Sequence, residues 1–401
     1  MSACLASGRS LSKLGLAMFA ALCETQPLAP VTLISPVSIG SSLALALAGS
    51  TPGGSAEAEL SRLLGAHEQI AEAIDGLLSS ARGNGSGVSL RVANGVWAGT
   101  AVRPKFIESA TRIHRAQAAP LPSSYEPVNS WVQSRTDGEV PKLLSGTPDP
   151  LTVSLLVSAV SFKGVWAERF ERERTAEGAF WPLSPGAATA SQPANFMRRK
   201  GAAWASPTVA ALGGAAALRL DYGDADAAAD SKGAGFCALF VLPPEAGEAS
   251  LAATIAALRT APSPVDTSAA PADPLSAALS TLRRREVDVS IPRFTAEWGA
   301  SSLKTALRAL GLLSAFDGSG QFLELSDEPD LHLDEVLHAA RVEVNEEGTA
   351  AAAATVAEMG VRSLPPRPLE LRFNRPFLLA VLHEETGTPL FVGRINSPQF
   401  S

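Results

Sequence analysis

Arg341-Val342-Glu343-Val344-Asn345-Glu346-Glu347-Gly348-Thr349, then Ala350, Ala351, Ala352, Ala353 and Ala354, then Thr355-Val356-Ala357-Glu358-Met359-Gly360-Val361-Arg362-Ser363: the fold of this chain turns on that stretch. Five consecutive alanines favour helix. Yet Gly348 precedes them, Gly360 follows, and no apolar stripe gives such a helix a core to pack on. Period two is more informative. Thr349, Ala351, Ala353, Thr355, Ala357 and Met359 share one face of a strand, and all are small or apolar. Ala350, Ala352, Ala354, Val356, Glu358 and Gly360 form the other face, which carries the segment's one charge. No proline interrupts Glu346 to Arg362, so every residue could donate to a ladder. Pro365, Pro366 and Pro368 would end it. The pattern predicts an exposed loop that can also become a strand.

Around that stretch lies material for a large core. The chain has 401 residues, 46% hydrophobic and 18% charged, with a formal net charge of -7. An acidic balance disfavours nucleic acid and anionic membrane, which demand clustered Lys and Arg. The one dense basic run, Arg283-Arg284-Arg285, is expected to be a solvated face. Cys4, Cys23 and Cys237 are too few and too scattered for a disulfide framework or a thiolate zinc site. A glycosylation sequon stands at Asn84-Gly85-Ser86. Near the N-terminus, Arg9 and Lys13 precede an apolar run and faintly resemble a signal peptide. However, Leu11, Leu14, Met18 and Leu22 share one helical face, so a structural helix is expected, and with it a cytoplasmic rather than secreted protein. No run is long and apolar enough to span a membrane.

Helices dominate the first third. Ser35-Pro36 is a helix entry, followed by an apolar run from Leu43 to Leu47 and an end at Gly49. Phe106, Ala110 and Ile113, and the segment around Trp131, predict two more helices. Strands appear from the middle onward. The run 152–162 is apolar almost throughout and 236–242 reads the same way, as strands buried on both faces should. Val287, Val289 and Ile291 alternate with Asp288 and Ser290, which predicts a half-exposed strand. Two more strands, 377–382 and 390–395, flank a turn at Glu385-Thr386-Gly387-Thr388. Segments 182–192, 224–235 and 260–275 look like surface insertions. Helices first and strands later predict an α+β fold.

The motifs of catalysis are missing. The sequence has no Gly-x-Ser-x-Gly elbow, no P-loop and no His-Glu-x-x-His, and its five histidines are scattered. It is therefore not expected to be an enzyme.

The run Glu346-Glu347-Gly348-Thr349 with its alanines closely resembles the reactive-centre-loop hinge of serpins. Ser35-Pro36-Val37-Ser38-Ile39, Asn94-Gly95-Val96-Trp97 and Thr136-Asp137-Gly138-Glu139-Val140 are similar to family segments in the same order. So are Phe162-Lys163-Gly164-Val165-Trp166, Ile291-Pro292-Arg293-Phe294 and Leu310-Gly311-Leu312. Phe373-Asn374-Arg375-Pro376-Phe377, and Phe391 through Pro398, resemble the family's C-terminal signature.

The resemblance implies one serpin domain over 1–401, three β-sheets, about nine helices and a reactive loop at about 346–366. It implies an insertion hinge at Glu346, Glu347, Gly348, Thr349 and Ala350 to Thr355. At the family's spacing from Glu346, the scissile bond falls between Arg362 and Ser363. Ser35, Pro36, Ser38, Ser158 and His338 are implied as a shutter beneath the central sheet. The family usually has Asn where this chain has Ser158. Trp166 and Glu346 are implied near the top of that sheet, where insertion begins. The expected function is suicide inhibition of a trypsin-like serine protease by a monomer without cofactor or metal. Two alternatives stay open: inhibition of Arg-specific cysteine proteases of papain-like or metacaspase-like type, and a non-inhibitory protein on the same fold.

Overall fold

The computed structural model describes residues 2–82, 87–184, 190–223, 235–259, 273–318, 322–348 and 367–400. Thr349 to Ser363 lie outside the described residues, as do the sequon at Asn84 and most of the three expected insertions.

Nine α-helices fall among the described residues: α1 (Ser2–Thr25), α2 (Pro36–Gly49), α3 (Ser55–Leu64), α4 (His67–Arg82), α5 (Pro104–Arg112), α6 (Glu126–Arg135), α7 (Glu248–Ala257), α8 (Pro274–Thr281) and α9 (Lys304–Ala309). A six-stranded sheet runs in the order β15 (Gln399–Phe400), β10 (Phe294–Ser302), β11 (Glu335–Val344), β4 (Ser154–Gly164), β2 (Val88–Ala98), β3 (Gln117–Pro120). A nine-stranded sheet runs β1 (Val31–Ile34), β14 (Thr388–Ile395), β13 (Phe377–His383), β8 (Phe236–Leu242), β7 (Ala215–Asp221), β6 (Gln192–Val209), β9 (Arg283–Pro292), β12 (Leu369–Arg372). Its ninth strand, β5 (Ala176–Phe180), pairs with β6. β6 is 18 residues long. It bonds β5 and β9 over its first part and β7 over its last, so the second and third expected sheets are one continuous ladder.

The main core lies between the two sheets and the N-terminal helices. Leu11, Leu14, Met18 and Leu22 are all buried, so the apolar N-terminal run is the structural helix α1. Ser35 caps α2 by accepting the Ser38 backbone N–H, and Pro36 occupies the first turn, where its missing N–H costs nothing. β4 explains its own apolar run: Leu156, Val160 and Phe162 face the main core, while Leu155, Val157 and Ala159 face a second, smaller one. That smaller core is closed by Val128 and Val132 of α6. Cys23 and Cys237 are buried free thiols, pushed by burial up to about 11 and about 12, which leaves them protonated and unreactive.

β9 departs from the half-exposed strand the alternation predicts. Asp288 and Ser290 are mostly buried, at 8% and 6% exposure, beside apolar neighbours that are fully buried. β9 is flanked by β6 and β12, and Asp288 is roofed by Lys200 (3.0 Å) and Arg372 (2.7 Å). Alternation reports chemical type along a strand and says nothing of long side chains arriving from its neighbours.

α1 and α2 meet at Gly15. A Cβ there would lie 2.3 Å from the Pro36 ring, closer than packed atoms tolerate. Gly15→Ala should therefore lower stability by about 1–3 kcal/mol. A thermal melt identical to that of the parent would show that the helices have room to part.

Candidate functional site

At the centre of the six-stranded sheet, β11 and β4 run parallel, paired from Glu335↔Leu155 to Val342↔Phe162. Their outer neighbours, β10 and β2, are antiparallel to them. Parallel pairing is slightly weaker per residue. The middle of the sheet is thus a seam between two antiparallel halves.

Midway along the seam, His338 of β11 stands in register with Ser158 of β4 and is fully buried. The Ser35 backbone N–H donates to His338 Nε2 at 3.0 Å. A backbone N–H can only donate, so the neutral ring carries its proton on Nδ1. That proton faces Ser158 Oγ at 3.1 Å. Ser158 in turn lies 2.7 Å from Ser38 Oγ, and Ser38 donates to Asn94 Oδ1 at 3.2 Å. Each hydroxyl has one proton, so the chain runs one way: His338 to Ser158 to Ser38 to Asn94. It ties β11, β4, β2 and the start of α2 together. Burial pushes His338 down to about 3, against a backbone hydrogen bond of Ser158 that raises it. Asn94 Nδ2 has no partner among the described residues.

At the top of the seam, β11 ends in a tight turn over Asn345 to Gly348. Gly348 bridges Val165 in antiparallel fashion and closes on Asn345. Its φ is +95°, which favours glycine. A Cβ there would fall 2.3 Å from the Gly164 carbonyl oxygen and 2.4 Å from the Trp166 nitrogen. Trp166 holds the turn from below. Its indole donates to the Asn345 carbonyl (2.9 Å), its backbone N–H donates to the Glu347 carbonyl (3.0 Å), and its ring stacks on Tyr222. Glu346 is buried; its Oε1 accepts from Thr175 Oγ1 (2.8 Å) and lies 3.7 Å from Arg293. Glu347 pairs with Arg172.

A third contact crosses the seam on the α6 side. Glu139, in the turn after α6, pairs through one oxygen with Lys163 of β4 and lies 3.6 Å through the other from Arg341 of β11. One carboxylate therefore spans both edges of the seam. The turn is sharp, with φ of +53° at Asp137 and +81° at Gly138. Asp137 is also held to β2 by Arg91 (2.6 Å).

The structure brings Ser35, Pro36, Ser38, Ser158 and His338 into one cluster, and Trp166, Glu346, Glu347 and Gly348 into another. Thr349, Ala350 to Ala354, Thr355, Arg362 and Ser363 lie outside the described residues. Sequence reasoning gives no site role to Asn94, Tyr222 or Glu139. Asn94 and Glu139 lie in segments that resemble the family, but their partners are non-local and cannot be read from those segments.

A family model described as Serpin (serine protease inhibitor) matches residues 9–398. The chain belongs to the serpin family. Among its relatives, Serpin B6 of Pongo abelii is 30% identical, with 91% of this chain and 92% of that protein covered. Leukocyte elastase inhibitor A of Rattus norvegicus is 27% identical over 98% and 99%. Serpin-ZX of Arabidopsis thaliana is 30% identical over 91% and 92%. Among solved structures, human thyroxine-binding globulin with its hormone matches at TM-score 0.80 and 20% identity, covering 99% and 100% of the two chains. Native protease nexin-1 with heparin matches at 0.78 and 23%, covering 98% and 99%. These serpin neighbours share the fold, and family members are protease inhibitors rather than enzymes.

The depressed His338 carries a pH prediction. Unfolded, the ring titrates near 6.5; folded, near 3. Between those values only the unfolded chain binds the proton, so stability falls as pH drops through that window. By pH 4 the loss should be on the order of 3 kcal/mol. His338→Gln should narrow the difference in melting temperature between pH 7 and pH 4. An unchanged difference would assign the acid sensitivity to other groups.

Proposed function

We propose that this serpin inhibits proteases that cleave after Arg, with Arg362–Ser363 as bait and the seam between β4 and β11 as the trap. The observation that carries this reading is the antiparallel bridge between Gly348 and Val165. The turn at Asn345 to Gly348 has already reversed the chain, so a strand continuing from it would run antiparallel to both edges of the seam. Extending that register sets Ala351 opposite Phe162, Ala353 opposite Val160, and Thr355 opposite both Ser158 and His338. The face of small residues would meet the main core. Glu358 would face the α6 side, opposite Leu155.

The chemistry follows from the bait. The target's nucleophile attacks the Arg362 carbonyl carbon and expels the Ser363 amine, leaving an acyl-enzyme. The freed segment from Thr349 to about Val361 then enters the seam, replacing one parallel pairing by two antiparallel ones. A strand of that length is about 40 Å long, and the tethered protease travels with it. Its oxyanion hole is pulled out of shape before water can deacylate it. Trypsin-like serine proteases have the acidic pocket an Arg bait needs. Three relatives, of rat, mouse and pig, are named leukocyte elastase inhibitors. Thyroxine-binding globulin is named for hormone binding on a similar fold, so the fold alone does not decide. The hinge favours inhibition, because nothing bulky, charged or proline stands at its inward positions.

Incubation with trypsin and a denaturing gel test the proposal. A band at the summed mass should survive boiling in detergent, and the released fragment should begin at Ser363. Clean cleavage without that band would contradict the trap. Thr349→Arg should convert inhibitor to substrate, since a charge must then be buried first; unchanged stoichiometric inhibition would refute seam insertion. Glu139→Gln should loosen the clamp across the seam. Its ion pairs are half exposed and worth about 0–1 kcal/mol. Spontaneous loss of inhibitory activity on warming should then quicken by up to about fivefold. An unaltered rate would mean that Glu139 does not restrain opening.

A further inference from the structure

β12 leads directly out of the reactive loop, and it opens onto a basic groove. Three strands stand side by side there. Arg372 of β12 is opposite Ser290 of β9, and Ser290 is opposite Arg198 of β6. One row across the sheet thus reads Arg372, Ser290, Arg198. The neighbouring row on the same face carries Glu370, Asp288 and Lys200. Arg174, Arg198, Lys200, Asp288, Ser290 and Arg372 line a cavity of about 590 Å³, and Asp288 is the one acid among them. Arg174 lies in the 3-10 turn Arg172–Arg174 that precedes β5.

Charge is only partly balanced. Asp288 is shared by Lys200 and Arg372, and Arg372 also lies 3.7 Å from Glu370. Arg174 pairs with Glu171 at 2.6 Å. Arg199 turns to the other side of the sheet, against Glu168 and the Phe170 ring. Arg198 is exposed and has no acidic partner among the described residues. The groove is basic in a chain whose net charge is -7.

We propose that this groove is a docking surface for an acidic patch on the protease itself, flanking its active-site cleft. This rests on the reading of Arg362–Ser363 as bait. Nine residues separate Arg362 from Arg372, so the extended chain between them reaches at most about 35 Å. A protease engaged on Arg362 therefore stands over or beside the groove. Its sign is opposite to that of the chain as a whole, so it attracts one class of partner and orients it. Among proteases that accept Arg, the preferred targets are those with carboxylates facing this surface.

The test uses the full chain, Arg198→Glu/Arg174→Glu, and the milder Arg198→Gln. All are assayed against an anionic and a cationic trypsin at low and high salt. For the parent, complex formation with the anionic enzyme should be faster and should slow as salt rises. The double reversal should cut that rate at low salt by about tenfold or more, and Arg198→Gln by less, with melting temperatures unchanged. The cationic enzyme should not be slowed. Equal rates for parent and variants with the anionic enzyme would overturn the proposal. An anionic trypsin lacking its nucleophilic serine separates docking from trapping. It should bind the parent more tightly than the double reversal even if no covalent complex forms with active enzyme. If heparin binding is lost in the variants while the protease rates are untouched, the groove serves a polyanion and the proposal fails.

Discussion

The parallel pairing of β4 with β11 is the constraint on which the rest of the molecule depends. It divides the sheet into two antiparallel halves that meet at the weaker kind of ladder. Every feature of the site lies on that seam or guards it. Gly348 lies at its head, with no room for a Cβ against Gly164 and Trp166. The hydrogen-bonded chain from His338 to Asn94 crosses it midway. Glu139 spans it from the α6 side.

These guards have the strength that the proposed insertion requires, which is to hold the sheet and then to yield. The His338 chain is buried and directional, so breaking it leaves polar atoms without partners. The Glu139 clamp is half exposed and weak. Asn94 Nδ2, without a partner among the described residues, costs about 1–3 kcal/mol. Ser158, shorter than the Asn usual at its place in the family, belongs to the same cluster. Such a sheet is held shut by modest local terms, and its lifetime is a matter of barrier height.

Much of this was legible in the sequence, for local reasons. The alternation from Thr349 to Met359 lies outside the described residues, and its reading as a potential strand rests on period two alone. Ser35-Pro36 marks the start of α2 because a cap and its proline are adjacent residues. The Leu11 to Leu22 stripe marks α1 as a core helix. What escaped is non-local. Nothing in either run tells that 154–164 and 335–344 lie parallel, since no turn connects them. Asp288 looked half exposed because the arms that cover it, Lys200 and Arg372, come from distant strands. The joining of two sheets through β6 depends on where its 18 residues change partners.

The central claim is that the seam accepts the loop as a strand once the loop is cut. Thermal melting of the intact protein and of the same protein cleaved at Arg362–Ser363 tests it most directly. Insertion adds a full-length antiparallel strand and removes the parallel pair, so the cleaved form should melt far above the intact one. Equal or lower melting after cleavage would mean that the seam stays shut and that the account is wrong.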